Sequence, residues 1–152
     1  MGTWHKDAFG GKEYLDSGEL GLLAIVFWSD VPSGTGGTFI VPDSIGPVAR
    51  YLVERPAGVA NGTGGFDYGD LASECHRFDE LTGECGDVAF LHPFLLHGGS
   101  DNPSGRPRII TNEHVSFRAP LRLREEPDRP ICPVERAILQ ALGVRELEFE
   151  RH

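Results

Sequence analysis

The sequence predicts a mainly β fold, a jelly-roll-like barrel of short strands with a few short helices. Three observations predict it. Twenty Gly and 11 Pro among 152 residues call for many turns. The apolar segments are short and bounded by turn residues, as strands are. The length suits one domain, which would bury roughly two-thirds of the surface of its unfolded chain.

The elements follow in order. The run 20–28 (Leu-Gly-Leu-Leu-Ala-Ile-Val-Phe-Trp) is continuously apolar and reads as a strand covered on both faces. A turn cluster at 29–37 joins it to a second strand at 38–41. Val48, Tyr51 and Leu52 stand at helical spacing and predict a short helix over 47–54. Residues 58–69 are Gly-rich, with Phe66 and Tyr68; they read either as a flap over the barrel mouth or as a surface loop anchored by two rings. A strand near 78–81 precedes the turn 83–87, and an apolar strand then runs to Pro93. A second short strand ends at His97, a polar loop follows, and Ile109, Ile110, Val115 and Phe117 mark a closing strand. If Arg108 faces inward, alternation puts Ile110, Asn112 and His114 inward as well, unless a bulge intervenes.

Residues 120–130, charged and bounded by prolines, read as a linker crossing the surface. Val134, Ala137, Ile138, Ala141 and Leu142 form one stripe of a C-terminal helix, with Pro133 in its first turn and Gly143 at its stop. Residues 1–118 therefore read as the barrel core, and 119–152 as a linker and helix packed on it.

A formal charge of -9 argues against a nucleic-acid partner, because phosphate binding needs a basic face. Cys75, Cys85 and Cys132 form no C-x-x-C pair, and an odd count gives no disulfide framework. No signal peptide precedes the motifs, and the apolar run at 20–28 is too short to span a bilayer. A cytoplasmic, reduced setting with no membrane partner is the expectation.

The chemistry is concentrated in three residues. His5 and Asp7 form an H-x-D pair, and His97 lies far downstream. Two imidazoles and a carboxylate can occupy one face of Fe(II) and leave positions open for a co-substrate and O2. On a strand, the i, i+2 spacing turns His5 and Asp7 to the same side. Each has an ordinary alternative: solvated polar groups for the pair, a core histidine for His97. His92 competes with His97, although Pro93 beside it marks a strand end.

The stretch Gly86-Asp87-Val88-Ala89-Phe90-Leu91-His92-Pro93-Phe94-Leu95-Leu96-His97-Gly98-Gly99 carries the distal histidine. It follows Trp4-His5-Lys6-Asp7 and Gly36-Gly37-Thr38-Phe39-Ile40-Val41-Pro42-Asp43-Ser44, and it precedes Asn102-Pro103-Ser104-Gly105-Arg106-Pro107-Arg108. In this order the four segments resemble the phytanoyl-CoA dioxygenase-like family of Fe(II)/2-oxoglutarate oxygenases, from about Trp4 to about Thr111. The resemblance implies a double-stranded β-helix (jelly-roll, cupin-like) barrel with His5, Asp7 and His97 as ligands of Fe(II). It implies that Arg108, eleven residues after His97, pairs with the far carboxylate of 2-oxoglutarate. A planar guanidinium suits that task because it meets a carboxylate with two parallel hydrogen bonds.

Arg106 competes with Arg108. Thr38 either offers its hydroxyl to the co-substrate or is an ordinary strand residue. Lys6 should point away from the ligands and is assigned no chemistry.

The implied activity is a dioxygenase that hydroxylates a C–H bond of a small organic substrate, consuming O2 and 2-oxoglutarate and releasing succinate and CO2. Some relatives replace the carboxylate ligand by a small residue and halogenate; Asp7 is present here, so hydroxylation is favoured. In the family the H-x-D motif lies well inside the chain, whereas here it begins at residue 5. A barrel lacking N-terminal elements is therefore one expectation, and a homodimer supplying the missing strand another. The alternatives are a cupin-type metal-binding barrel that does not use 2-oxoglutarate, and a catalytically silent remnant used for interaction.

Overall fold

The computed structural model describes residues 4–9, 11–60 and 68–152. Its elements are β1 (Lys12–Glu13), β2 (Leu22–Phe27), β3 (Thr38–Val41), α1 (Ile45–Val53), β4 (Val59–Ala60), a 3-10 helix (Tyr68–Glu74), β5 (Asp79–Leu81), β6 (Val88–Leu91), β7 (Leu96–Gly99), β8 (Ile110–Val115) and α2 (Pro133–Leu142). All pairings are antiparallel and form three sheets, ordered β1-β4, β6-β2-β8 and β5-β3-β7. The fold is mainly β with a few short helices. Among the described residues the strands do not close into a barrel.

The two three-stranded sheets pack face to face. Leu23, Ile25 and Phe27 of β2 and Leu91 of β6 are buried together, with Ile40 of β3 and Leu81 of β5 packed against them. A second cluster lies beyond the β5-β3-β7 sheet. There Val41 and Leu96 meet Val48 and Leu52 of α1 and Val134, Ile138 and Leu139 of α2. The β3–β7 pair is therefore enclosed between a sheet and two helices, and this pair carries His97.

Three expectations change. The run 20–28 is covered on its inner face, but its outer face is partly open, with Phe90 66% exposed and Trp28, Val88 and Val115 also exposed. The inner face alone faces another sheet, and a continuous apolar run cannot show which face lacks a neighbour. Residues 120–130 are not a plain surface linker, because Leu121 and Leu123 are buried in the helix-side cluster. The period-2 alternation of these leucines with Arg122 and Arg124 sends the two residue types to opposite sides. The strand of His97 does not end there: a turn at Pro93–Phe94 delays its start to Leu96, and it runs on to Gly99.

The helices start close to the expected places. α1 begins at Ile45, and the Ser44 hydroxyl before it accepts the Leu96 N–H at 2.8 Å and donates to the Phe94 carbonyl at 3.3 Å. The start of β7 is thereby tied to the start of α1. In α2 the fully buried Glu135 accepts the N–H groups of Cys132 and Arg122 and an ion pair from Arg129. Gly143 ends the helix with φ 72°, a left-handed position that suits glycine.

Candidate metal centre

His5 and His97 face each other as an isolated antiparallel bridge. His5 N–H donates to His97 O at 2.9 Å, and His97 N–H donates to His5 O at 2.8 Å. Cross-strand partners project to the same face, which brings the two imidazoles to 4.5 Å between ring centroids. Asp7, two residues on, returns to that face, and its Oδ1 lies 3.8 Å from His5 Nε2 and 3.6 Å from His97 Nε2. Lys6 between them turns the other way into the interior. There it pairs with Glu13, lies over the rings of Tyr68 and Phe94, and donates to Asp7 O at 3.1 Å. The alternation expected of H-x-D is thus present, anchored by a buried lysine on the reverse side.

The donor set suits a metal. One ligand atom from each of His5, Asp7 and His97 lies within 4.8 Å of the others. Donors at about 2.1 Å from a metal stand about 3 Å apart when adjacent, so a small inward movement of exposed side chains closes the site. His97 is 5% exposed and offers the sharpest sign. Its Nδ1 lies 3.1 Å from the Leu95 carbonyl, which fixes that nitrogen as the donor. Nε2 is buried without a hydrogen-bond partner and lies 3.6 Å from Asp7 Oδ1. A buried nitrogen in that state is costly unless something else is bound to it.

Electrostatics agree. The His97 imidazole holds the Asp7 carboxyl below the usual carboxylate range; His5 and His114 add to this, and partial burial opposes it. Asp7 is therefore ionised at neutral pH, as a ligand must be. The His5 side chain is 50% exposed and that of His97 6%. The triad accordingly has a closed side and an open side.

The two residues expected at the co-substrate also meet. Arg108 Nη1 donates to Thr38 Oγ1 at 3.1 Å. Thr38 pairs with Gly99 and Ile40 with His97, so Thr38 and His97 share the face of the sheet turned toward β2. Arg106 lies in the exposed loop, its carbonyl accepting from Asn102 and its N–H donating to Ser104. His92 is structural: Nε2–H donates to the Val134 carbonyl at 3.1 Å, and Nδ1 accepts from Phe94 N–H at 3.0 Å.

His114 is the residue whose closeness to the triad the motifs did not reveal. The register from Leu22↔Val115 to Phe27↔Ile110 is unbroken, so Ile110, Asn112 and His114 share the inner face. His114 Nε2 comes within 3.5 Å of Asp7 Oδ2. Its signal was the alternation counted from Arg108. The Lys6–Glu13 pair had no sequence signal.

Of the Gly-rich segment 58–69, residues 61–67, including Phe66, lie outside the described residues. Tyr68 opens the 3-10 helix and is buried, stacking edge-on with Tyr51, so it serves the core. Cys75, Cys85 and Cys132 are unpaired. No described helix is long and apolar enough to cross a membrane. Compared with known proteins, the chain matches no family model, no curated protein and no solved structure.

Proposed function

We propose that His5, Asp7 and His97 hold Fe(II), and that the chain is a 2-oxoglutarate-dependent dioxygenase acting on a small organic substrate. The observation that carries the reading is the buried Nε2 of His97, which makes no hydrogen bond and stands 3.6 Å from an ionised carboxylate. The Arg108–Thr38 pair supports the co-substrate assignment, because a half-buried guanidinium beside a hydroxyl is a ready receptor for a carboxylate. The strand order supports a jelly-roll core: β8-β2-β6 lies on one side, and the His5 segment, β7, β3 and β5 lie on the other.

Bound there, Fe(II) would supply O2-dependent oxidation of a C–H bond, coupled to conversion of 2-oxoglutarate to succinate and CO2. The residues bind and orient. His97 is fixed by Leu95, Asp7 is braced by His114, and Arg108 neutralises the far carboxylate of the co-substrate. Enclosure of β7 between a sheet and two helices keeps water from the rear of the site.

Anaerobic addition of Fe(II) and then 2-oxoglutarate tests this. A visible charge-transfer band is expected, abolished by His97→Ala and weakened by Arg108→Ala. Iron binding without a band would instead favour a cupin-type metal barrel. One observation favours that second reading: His114 adds a third imidazole beside the triad, its Nε2 3.5 Å from Asp7 Oδ2.

A further inference from the structure

A cleft of about 580 Å³ adjoins the metal centre. Small-molecule sites commonly fall in this size range. His114 belongs to both places: its ring lines the cleft, and its Nε2 lies 3.5 Å from Asp7 Oδ2. Phe9, 41% exposed, meets the His114 ring edge-on at 4.4 Å and forms an apolar wall. Phe117, Ala119 and Pro120 line it as well.

The segment that carries these residues is tightly fixed. Phe117 N–H donates to Gly18 O at 2.8 Å, and Ser116 Oγ donates to Glu19 O at 2.6 Å. A Cβ at Gly18 would lie 2.7 Å from Ala119 O, and one at Gly21 would lie 2.8 Å from the Phe117 ring. Only glycine lets the segment settle this closely, so the cleft is built into the backbone.

Its charges are unequal in availability. Arg151 is already engaged, donating to Asp16 Oδ1 at 2.8 Å and stacking on Tyr14. Arg118 is exposed and pairs with no carboxylate among the described residues. Glu19 is the acidic residue in the lining and is also exposed.

We propose that this cleft takes the substrate of the site described above, an apolar carboxylate whose body lies against Phe9, Phe117 and Pro120 and whose anionic end meets Arg118. The assignment of the occupant as substrate rests on the oxygenase reading; the binding chemistry does not.

Calorimetric titration of the metal-free protein with 3-phenylpropanoate and with the uncharged 3-phenylpropanamide separates the two. The acid should bind about tenfold more tightly than the amide, the size of one charge-assisted contact. Arg118→Ala should remove that preference, and Phe9→Ala should weaken both probes. Both positions are exposed enough for the variants to fold. Equal binding of acid and amide, preference that survives Arg118→Ala, or no heat from either probe at millimolar concentration would overturn the proposal. A shift of the Fe(II)–2-oxoglutarate band on adding the acid supports the substrate role. Acid binding by a protein that gives no such band would overturn that role together with the oxygenase reading, and would leave a carboxylate-binding cleft.

Discussion

Replacing Lys6 by Met should cost far more than its silence in the sequence implies. The ammonium and Glu13 are nearly fully buried and paired with each other. Burial lowers the pKa of Lys6, and Glu13 opposes that shift. Lys6→Met keeps the apolar stem as far as Cε but removes the ammonium that lies over the rings of Tyr68 and Phe94, and it strands a buried carboxylate. Breaking such a pair from one side costs about 3–5 kcal/mol, against about 0–1 kcal/mol for an exposed pair. Removing both charges with Lys6→Met and Glu13→Leu should restore stability to within about 1 kcal/mol of the parent, because an apolar pair of similar volume carries no desolvation penalty. Urea unfolding of the parent, the two single variants and the double variant at neutral pH gives the coupling directly. A loss below about 1 kcal/mol for Lys6→Met, or a double variant no better than the single, would refute the account of a paired, desolvated lysine behind the ligands.

Four further outcomes are expected. Saturating Fe(II), or Mn(II) as a redox-silent substitute, should stabilise the protein by about 2.7 kcal/mol at one hundred times Kd. That gain should appear as roughly 5–10 °C in thermal unfolding and vanish in His97→Ala. Arg108→Lys should weaken 2-oxoglutarate binding about tenfold or more in the anaerobic titration while leaving iron affinity unchanged, since a point charge replaces a planar fork; an unchanged co-substrate affinity would point to another receptor.

Burial pushes His92 down to about 4, with the Val134 carbonyl opposing. The unfolded chain therefore takes up a proton first, and stability is full above about pH 6.5 and falls by up to about 3 kcal/mol as pH drops toward 4. In His92→Phe the unfolding free energy should vary less across that window. Glu135 is held below the usual glutamate range: burial pushes it up, but the N–H groups of Arg122 and Cys132 and the Arg129 guanidinium outweigh it. Its contribution is present above the unfolded pKa and is lost as pH falls through the folded one. Glu135→Gln should therefore be destabilised by about 1–3 kcal/mol at pH 7 and by less in acid, as read from urea midpoints.

What the sequence made legible is local. The 3.6-residue stripe from Val134 to Leu142, opened by Pro133 and stopped by Gly143, occurs as α2 over the same residues. Strand β3 occupies 38–41 as read, because turn residues bound it on both sides. His5, Asp7 and His97 come together because an i, i+2 pair and a cross-strand partner need only one bridge to meet. What stayed hidden depends on partners remote in sequence. Glu13 receives Lys6 only because the reverse face of the ligand segment is interior. Leu121 and Leu123 are core residues in a charged stretch because α2 folds back over them. Nothing in the pattern of 20–28 distinguishes a face with a sheet behind it from one that keeps Phe90 and Trp28 exposed.

The bridge between His5 and His97 has a consequence for how a metal would leave. Two main-chain bonds dock the ligand segment on β7, and they belong to the same residues whose imidazoles face each other. Peeling of residues 4–9 from the sheet would therefore part His5 and Asp7 from His97 and release the ion. Loading would then slow amide exchange of these two histidines by a factor of one plus the ratio of ion concentration to Kd, the same ratio whose logarithm sets the gain in stability.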